Sequence, residues 1–346
     1  MTSSPLKNKI VFMKIVVRAP NWIGDSILSL PALESLKRNF SQAQIWIAAR
    51  EEIQDLFISL NFVKDVITLP VVNNFKNIKE SAKKIKSHHF DISLLLTNSF
   101  SSAFLFYLAK IPQRWGYLRD NRGFILTRGV PLKKMDNSPS HQVDYYLNLI
   151  SALGLQTFPP ELAFPLSPEE KNWAKKKLSS LGYKPNKPLV ILNPGAYYGP
   201  AKRWPASKFA ELAKMLQKKK KPEILIVGSP EEVSLAESIA SSLDKKPINT
   251  AGATTLRQLA ALTSFANLFI TNDSGPMHMA SALRIPVIAI FGPTDPRITG
   301  PFHQPSVVVK KDVPCWPCSY RKCPFDHRCM MDIDPEDILE VSQNFL

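Results

Sequence analysis

Nowhere in this chain do two glycines stand at Gly-x-Gly spacing, and no Gly-x4-Gly-Lys-Ser/Thr stretch occurs. The first absence removes the dinucleotide fingerprint and the second the phosphate loop. Both count against a nicotinamide dehydrogenase and a standard NTPase. No apolar run reaches the roughly 18 residues a membrane helix needs. Met1 to Lys9 lack the apolar stretch of a signal peptide. A cytoplasmic protein is therefore expected, with residues 1–12 a dispensable extension ahead of the first strand. Acidic residues are scarce, 29 against 44 Lys and Arg, which leaves a formal charge of +15. That balance asks for an anionic partner: nucleic acid, an anionic membrane or a phosphorylated substrate. The basic residues are scattered, and no RNA-binding or helix-turn-helix signature accompanies them. A charged substrate at a membrane surface explains the balance at least as well.

What is present suits two cored domains: 346 residues at 45% hydrophobic content. Lys14-Ile15-Val16-Val17-Arg18 reads as a buried strand, followed by a loop to Asp25. Ile27, Leu30, Leu33, Leu36 and Phe40 then recur at helical spacing, with Pro31 set to kink that helix or delay its start. Strands are expected at residues 44–48, 66–69 and 90–96, with helices between. Prolines at 159, 160, 165 and 168 mark a linker over residues 158–188 that carries one helix near 169–181. A second alternation follows, with strands at 189–193, 223–227, 268–270 and 287–291 and helices at 206–219, 231–243 and 256–265. Strands alternating with helices predict parallel sheets. The expected fold is α/β, with two Rossmann-like doubly wound domains facing a cleft. The expected division is 1–170, 171–331 and a C-terminal helix within 332–346.

The centre of the second half is Thr271-Asn272-Asp273-Ser274-Gly275-Pro276-Met277-His278, a strand-to-helix turn. Unpaired N–H groups and the positive end of the helix dipole suit a phosphate there. An ordinary helix capped by Asp273 or Ser274 fits equally. Lys202 and Arg203 offer cationic donors for a diphosphate. His278 is within reach of the same anion or is a packed side chain. Asp25, at a loop-to-helix junction after the first strand, is either an N-cap or a carboxylate facing a cleft. Arg114, Arg119, Arg122 and Arg128 crowd one loop-rich region, as anion ligands or as solvated charge.

Asp332-Ile333-Asp334 has the Asp-x-Asp form of a metal site. Asp334-Pro335-Glu336-Asp337 nevertheless reads better as a cap, a first-position proline and an acidic first turn. All four cysteines lie in one segment, Cys315, Cys318, Cys323 and Cys329, with His327 nearby. Structural zinc is one reading and a compact reduced loop the other.

Residues 193–205, Asn-Pro-Gly-Ala-Tyr-Tyr-Gly-Pro-Ala-Lys-Arg-Trp-Pro, resemble the central motif of bacterial ADP-heptose:lipopolysaccharide heptosyltransferases, heptosyltransferase II in particular. Asn272-Asp273-Ser274-Gly275-x-Met277-His278 looks like the second signature of that family. Trp22-x-Gly24-Asp25 resembles its N-terminal motif, and Asn98-Ser99-Phe100 is a smaller match. The likeness spans residues 14 to about 300.

It implies a GT-B glycosyltransferase that moves heptose with inversion from ADP-heptose to the lipid A-core acceptor. Such an enzyme would act in the cytoplasm, peripheral to the inner-membrane face, with no nucleic acid and no obligatory cofactor. Asp25 would be the general base. Lys202, Asp273, Ser274, Gly275, Met277, His278, Tyr197 and Ser229 would bind the donor, and Arg114, Arg119 and Arg122 the acceptor. A related transferase using another nucleotide sugar, a basic nucleic-acid-binding protein and a non-catalytic scaffold are the rival readings.

Overall fold

The computed structural model describes residues 13–71, 74–132, 139–162 and 164–346. Contacts divide the chain into two compact units, Met1–Glu161 and Leu162–Leu346. The division falls before the expected residue 170. The reason is that residues from 162 onward are tied to the second unit. Leu162 N–H donates to His303 Nε2 at 3.2 Å, and Glu170 takes Arg257 at both carboxylate oxygens, 2.7 and 2.6 Å.

The first unit holds strands β1 (Lys14–Arg18), β2 (Gln44–Arg50), β3 (Val63–Leu69), β4 (Ile92–Leu95), β5 (Gln113–Tyr117) and β6 (Arg128–Val130). Its helices are α1 (Ile23–Leu28), α2 (Leu30–Asn39), α3 (Glu51–Ile58), α4 (Phe75–Lys86), α5 (Phe100–Leu108) and α6 (Gln142–Ala152). The second unit opens with α7 (Pro168–Ser180). Its strands are β7 (Leu189–Asn193), β8 (Glu223–Ile226), β9 (Ile248–Asn249), β10 (Leu268–Asn272), β11 (Val287–Phe291) and β12 (Ser306–Lys310). The remaining helices are α8 (Ala206–Lys219), α9 (Val233–Ser241), α10 (Leu256–Thr263), α11 (Gly275–Ala282), α12 (Pro296–Thr299), α13 (Arg328–Met331) and α14 (Pro335–Ser342).

Pro31 does interrupt the expected first helix. The pattern breaks at Ser29, and Pro31 falls in the first turn of α2, where a missing N–H goes unmissed. Asp334 caps α14 in a capping box with Asp337, so the Asp-x-Asp pair is helix punctuation.

Both sheets are parallel throughout and share one order. The first runs β3-β2-β1-β4-β5-β6 and the second, in mirror numbering, β12-β11-β10-β7-β8-β9. This is the doubly wound Rossmann order, whose direction reverses between β1 and β4 and again between β7 and β10. At such a point the loops leaving adjacent strands diverge and leave a crevice beyond the carboxyl ends. The strands there are buried on both faces, Ile15, Val16 and Val17 in one sheet and Leu189 to Leu192 in the other. The crevice residues therefore hang from the most rigid part of each unit.

Candidate active site

In the second unit, Thr271 of β10 stands opposite Asn193 of β7. Parallel pairing puts the loops after both strands at one edge, and their side chains interlock. Asn193 Nδ2 donates to Thr271 Oγ1 at 2.8 Å and to Ser274 Oγ at 2.9 Å. Asn272 Oδ1 accepts from Trp204 N–H at 3.0 Å, while its Nδ2 donates to Pro194 O at 2.7 Å. Lys202, on a short 3-10 turn Pro200–Lys202, reaches across to an ion pair between Nζ and Asp273 Oδ2. Thr294 Oγ1 donates to that same oxygen at 2.6 Å, and Lys202 Nζ also sits 4.7 Å from the Tyr198 ring centroid. Both partners of the pair are buried. A buried pair costs desolvation that its own attraction seldom exceeds, so it is weak evidence of a stabilising device. It does hold a lysine charge beside the start of α11.

Ser274 occupies the N-cap position of α11, but its side chain makes no capping bond. The hydroxyl is taken by Asn193 instead. The amino end of the helix is thus not closed by its own cap, the arrangement that receives an anion. Met277 and His278 are both buried on α11. Met277 has no exposed surface, so its side chain packs the helix down and does not face a ligand. Tyr197 lies at the other extreme, 76% exposed. Ser229 is engaged in a capping box with Glu232, which absorbs the side chain expected to touch the donor.

Glu232 itself was not among the expected site residues. It is buried after β8, accepts from Ser229 N–H at 2.9 Å and lies 3.9 Å from Arg203 Nη2. Its carboxylate fills the space beside Gly195, where a Cβ would stand 2.1 Å away. Only glycine lets the β7 loop pass so close. The signal was legible: Ser229-Pro230-Glu231-Glu232 is a Ser-x-x-Glu box directly after a strand.

The cysteine-rich segment grips the loop that carries Lys202. Tyr198 Oη donates to Ser319 O at 2.7 Å, Ala201 N–H to Arg321 O at 3.1 Å, and His327 Nε2 lies 2.8 Å from Ala201 O. All four cysteines are free thiols lining one small cavity. Burial first, then Cys323, Cys315 and Cys318, pushes the Cys329 thiol up to about 11. Among the described residues no three His, Cys, Asp or Glu are gathered so as to hold a metal ion.

In the first unit Asp25 is the third residue of α1, and the N-cap position belongs to Trp22. The local capping role open to Asp25 from sequence is therefore not the one it plays. Arg18 prepares the loop before it. The buried guanidinium donates to Ala19 O at 2.6 Å, Ala48 O at 3.3 Å and Asn21 Oδ1 at 2.6 Å. Burial and then the Arg50 charge push its pKa down to about 10. The charge of Asp25 reaches α6. Burial, followed by Asp25, holds Tyr146 well above the ordinary phenol range. Tyr145 is also raised, by burial foremost, against the lowering influence of Asn98, Arg119 and Arg122. Asp25, two tyrosines and these basic groups thus share one electrostatic neighbourhood.

The three arginines expected to meet the acceptor part company. Arg119 is exposed just beyond the carboxyl end of β5. Arg114 sits near the amino end of that strand, its guanidinium spent on the carbonyls of Ile125, Ile111 and Pro112. Burial lowers its pKa. Arg122 is fully buried and donates to Tyr117 O at 3.1 Å, to Thr97 O, and to Asn98 Oδ1 at 3.3 Å. Burial pushes its pKa down to about 10. Arg122 is an internal strut whose donors are taken by carbonyls and Asn98, leaving few for a ligand, while the half-buried Arg114 spends Nε and Nη1 on carbonyls.

Arg122→Leu should accordingly cost about 2 kcal/mol in urea unfolding, because buried acceptors on β4 and β5 loops lose their donor. An unchanged midpoint would return Arg122 to the surface role.

Fold and site together define a glycosyltransferase of the GT-B class. The glycosyltransferase family 9 (heptosyltransferase) model matches residues 78–328. Lipooligosaccharide heptosyltransferase 2 of Campylobacter jejuni is 31% identical over 344 residues, 96% of this chain and 98% of that protein. The solved Escherichia coli ADP-heptose lipopolysaccharide heptosyltransferase II aligns with a TM-score of 0.82 at 28% identity, covering 96% of this chain and 98% of that one. A family 9 glycosyltransferase from Veillonella parvula aligns at 0.83 and 25% identity, covering 96% and 97%. The chain belongs to glycosyltransferase family 9, the heptosyltransferases.

Proposed function

We propose that this heptosyltransferase moves L-glycero-D-manno-heptose from ADP-heptose to the heptose/Kdo inner core of lipopolysaccharide, with inversion. The observation that carries the reading is the buried Lys202–Asp273 pair beside the uncapped start of α11. The leaving group of this reaction is a nucleoside diphosphate, and its developing charge needs a fixed positive environment. Lys202 and the first N–H groups of α11 supply it. Glu232, a carboxylate beyond the end of β8, suits the vicinal hydroxyls of a ribose.

Inversion is a single displacement at the anomeric carbon. Asp25 takes the proton of the acceptor hydroxyl as its oxygen bonds to that carbon. The bond from carbon to the diphosphate oxygen breaks, and its electron pair leaves with ADP. Asp25 and the exposed Arg119 belong to the acceptor side. The acceptor is lipid-anchored, so the enzyme works as a peripheral protein at the cytoplasmic face of the inner membrane.

The test incubates the protein with a defined truncated core acceptor and, in turn, ADP-heptose, UDP-sugars and GDP-sugars. Product from ADP-heptose alone is expected. Transfer from a UDP- or GDP-sugar in preference would overturn the donor assignment.

A further inference from the structure

A continuous row of aromatic rings runs over the first unit and takes no part in the chemistry above. Phe75 lies 6.5 Å from Phe104, Phe104 lies 5.8 Å from Phe100 and 6.3 Å from Tyr107, and Phe100 lies 6.1 Å from Phe124. Phe124 is 82% exposed, Phe75 56% and Tyr107 50%. Folded proteins rarely leave so many large rings together in water without a partner.

Charge frames the row. On α4, Phe75, Lys79, Lys83 and Lys86 stand at i, i+4, i+8 and i+11, one face of the helix, and all four are exposed. Lys79 Nζ sits 5.0 Å from the Phe75 ring centroid and Arg114 Cζ 5.5 Å from that of Tyr107, a cation at either end. Of the nearby acids, Glu80 lies further round α4, and Asp120 is occupied by the Phe100 N–H at 2.6 Å. Phe75 and Phe100 begin helices that follow β3 and β4. The row therefore starts at the carboxyl edge of the parallel sheet, the edge that carries Asp25.

We propose that this row and its lysine face dock the first unit on an anionic lipid surface. Aromatic rings sit at headgroup depth in a bilayer interface, and lysines beside them meet lipid phosphates. A single-stranded nucleic acid is the poorer fit, because base stacking needs free ring faces. Here Phe75, Phe100, Phe104 and Tyr107 stack on one another at interplanar angles of 29°, 17° and 18°. The contact is a docking one, since no helix among the described residues is long and apolar enough to cross a membrane. The inference deepens the proposed reading by naming the surface that brings a lipid-anchored acceptor to Asp25.

The test floats the full chain with phosphatidylglycerol/phosphatidylethanolamine vesicles and with phosphatidylcholine vesicles, without any sugar substrate. Retention on the anionic vesicles alone is expected, weakening with salt. Phe75→Ser with Phe124→Ser should lower the bound fraction at least about tenfold, and Lys79→Gln with Lys83→Gln and Lys86→Gln should remove the salt dependence. Both variants should keep the wild-type melting temperature and full transfer to a delipidated, soluble acceptor. No retention on anionic vesicles, or serine variants that float like the wild type, would overturn the proposal. So would a dimer in solution that the serine variants dissolve, which would assign the row to a second copy. Flotation needs no donor, so a failed ADP-heptose assay leaves this result intact.

Discussion

Asp25→Asn is expected to lower kcat about a thousandfold while changing the affinity for ADP-heptose less than about twofold. The size of the effect separates the two roles this carboxylate could have. In the first turn of α1 an acidic side chain gains at most about 1 kcal/mol from the helix dipole. It is not the cap of that helix, because Trp22 holds the cap position. A purely structural aspartate would thus cost a degree or two of melting temperature and little turnover. A general base is worth about 4 kcal/mol of barrier at a thousandfold. The asparagine keeps the shape and removes only the proton acceptor. Measured kcat near wild type, with the melting temperature lowered, would leave Asp25 as helix furniture and the proposed chemistry without a base.

Lys202→Met should be the most damaging change in the second unit. It strips the lysine charge from a carboxylate whose side chain is 5% exposed; among the described residues Thr294 Oγ1 still donates to Asp273. Breaking a buried pair from one side costs about 3–5 kcal/mol. Adding Asp273→Asn should restore much of that stability, since no uncompensated charge is then buried. Turnover should not return with it. If Lys202 faces the departing diphosphate, the double variant stays at least about a hundredfold below wild type in kcat. Recovery of both stability and turnover in the double variant would make the pair a structural tie. Thermal melting and steady-state kinetics on the same three proteins decide the matter.

The strand-to-helix turn at Asp273 was legible because its signals are local: an apolar strand, then Gly275, Pro276 and a helical run. The same holds for the Asp334-Pro335 cap, where the capping box declared itself. Strands β5, β6, β9 and β12 were not read. β5 is Gln-Arg-Trp-Gly-Tyr, with neither alternation nor an apolar run, and β9 is two residues long. The strand character of β5 and β9 comes from the neighbour they pair with, whereas β12, Ser-Val-Val-Val-Lys, carries a local β-branched run that was passed over. The arginines show the same limit from the other side. Nothing in the sequence separates Arg119 from Arg122, yet one is exposed and the other lies wholly inside. A guanidinium becomes a strut only when carbonyls of Thr97 and Tyr117 are brought round it.

By itself the sequence determined the twofold alternation of strand and helix, the caps that punctuate it and the family motifs on four loops. Those properties depend on side-chain period and on contacts a few residues apart. Only the tertiary structure decided which charges meet. Lys202 and Asp273 are 71 residues apart, and they touch because β7 and β10 lie side by side where the sheet reverses direction. Strand order is a property of the whole packed unit, so the pairing it creates is written in no single stretch of chain.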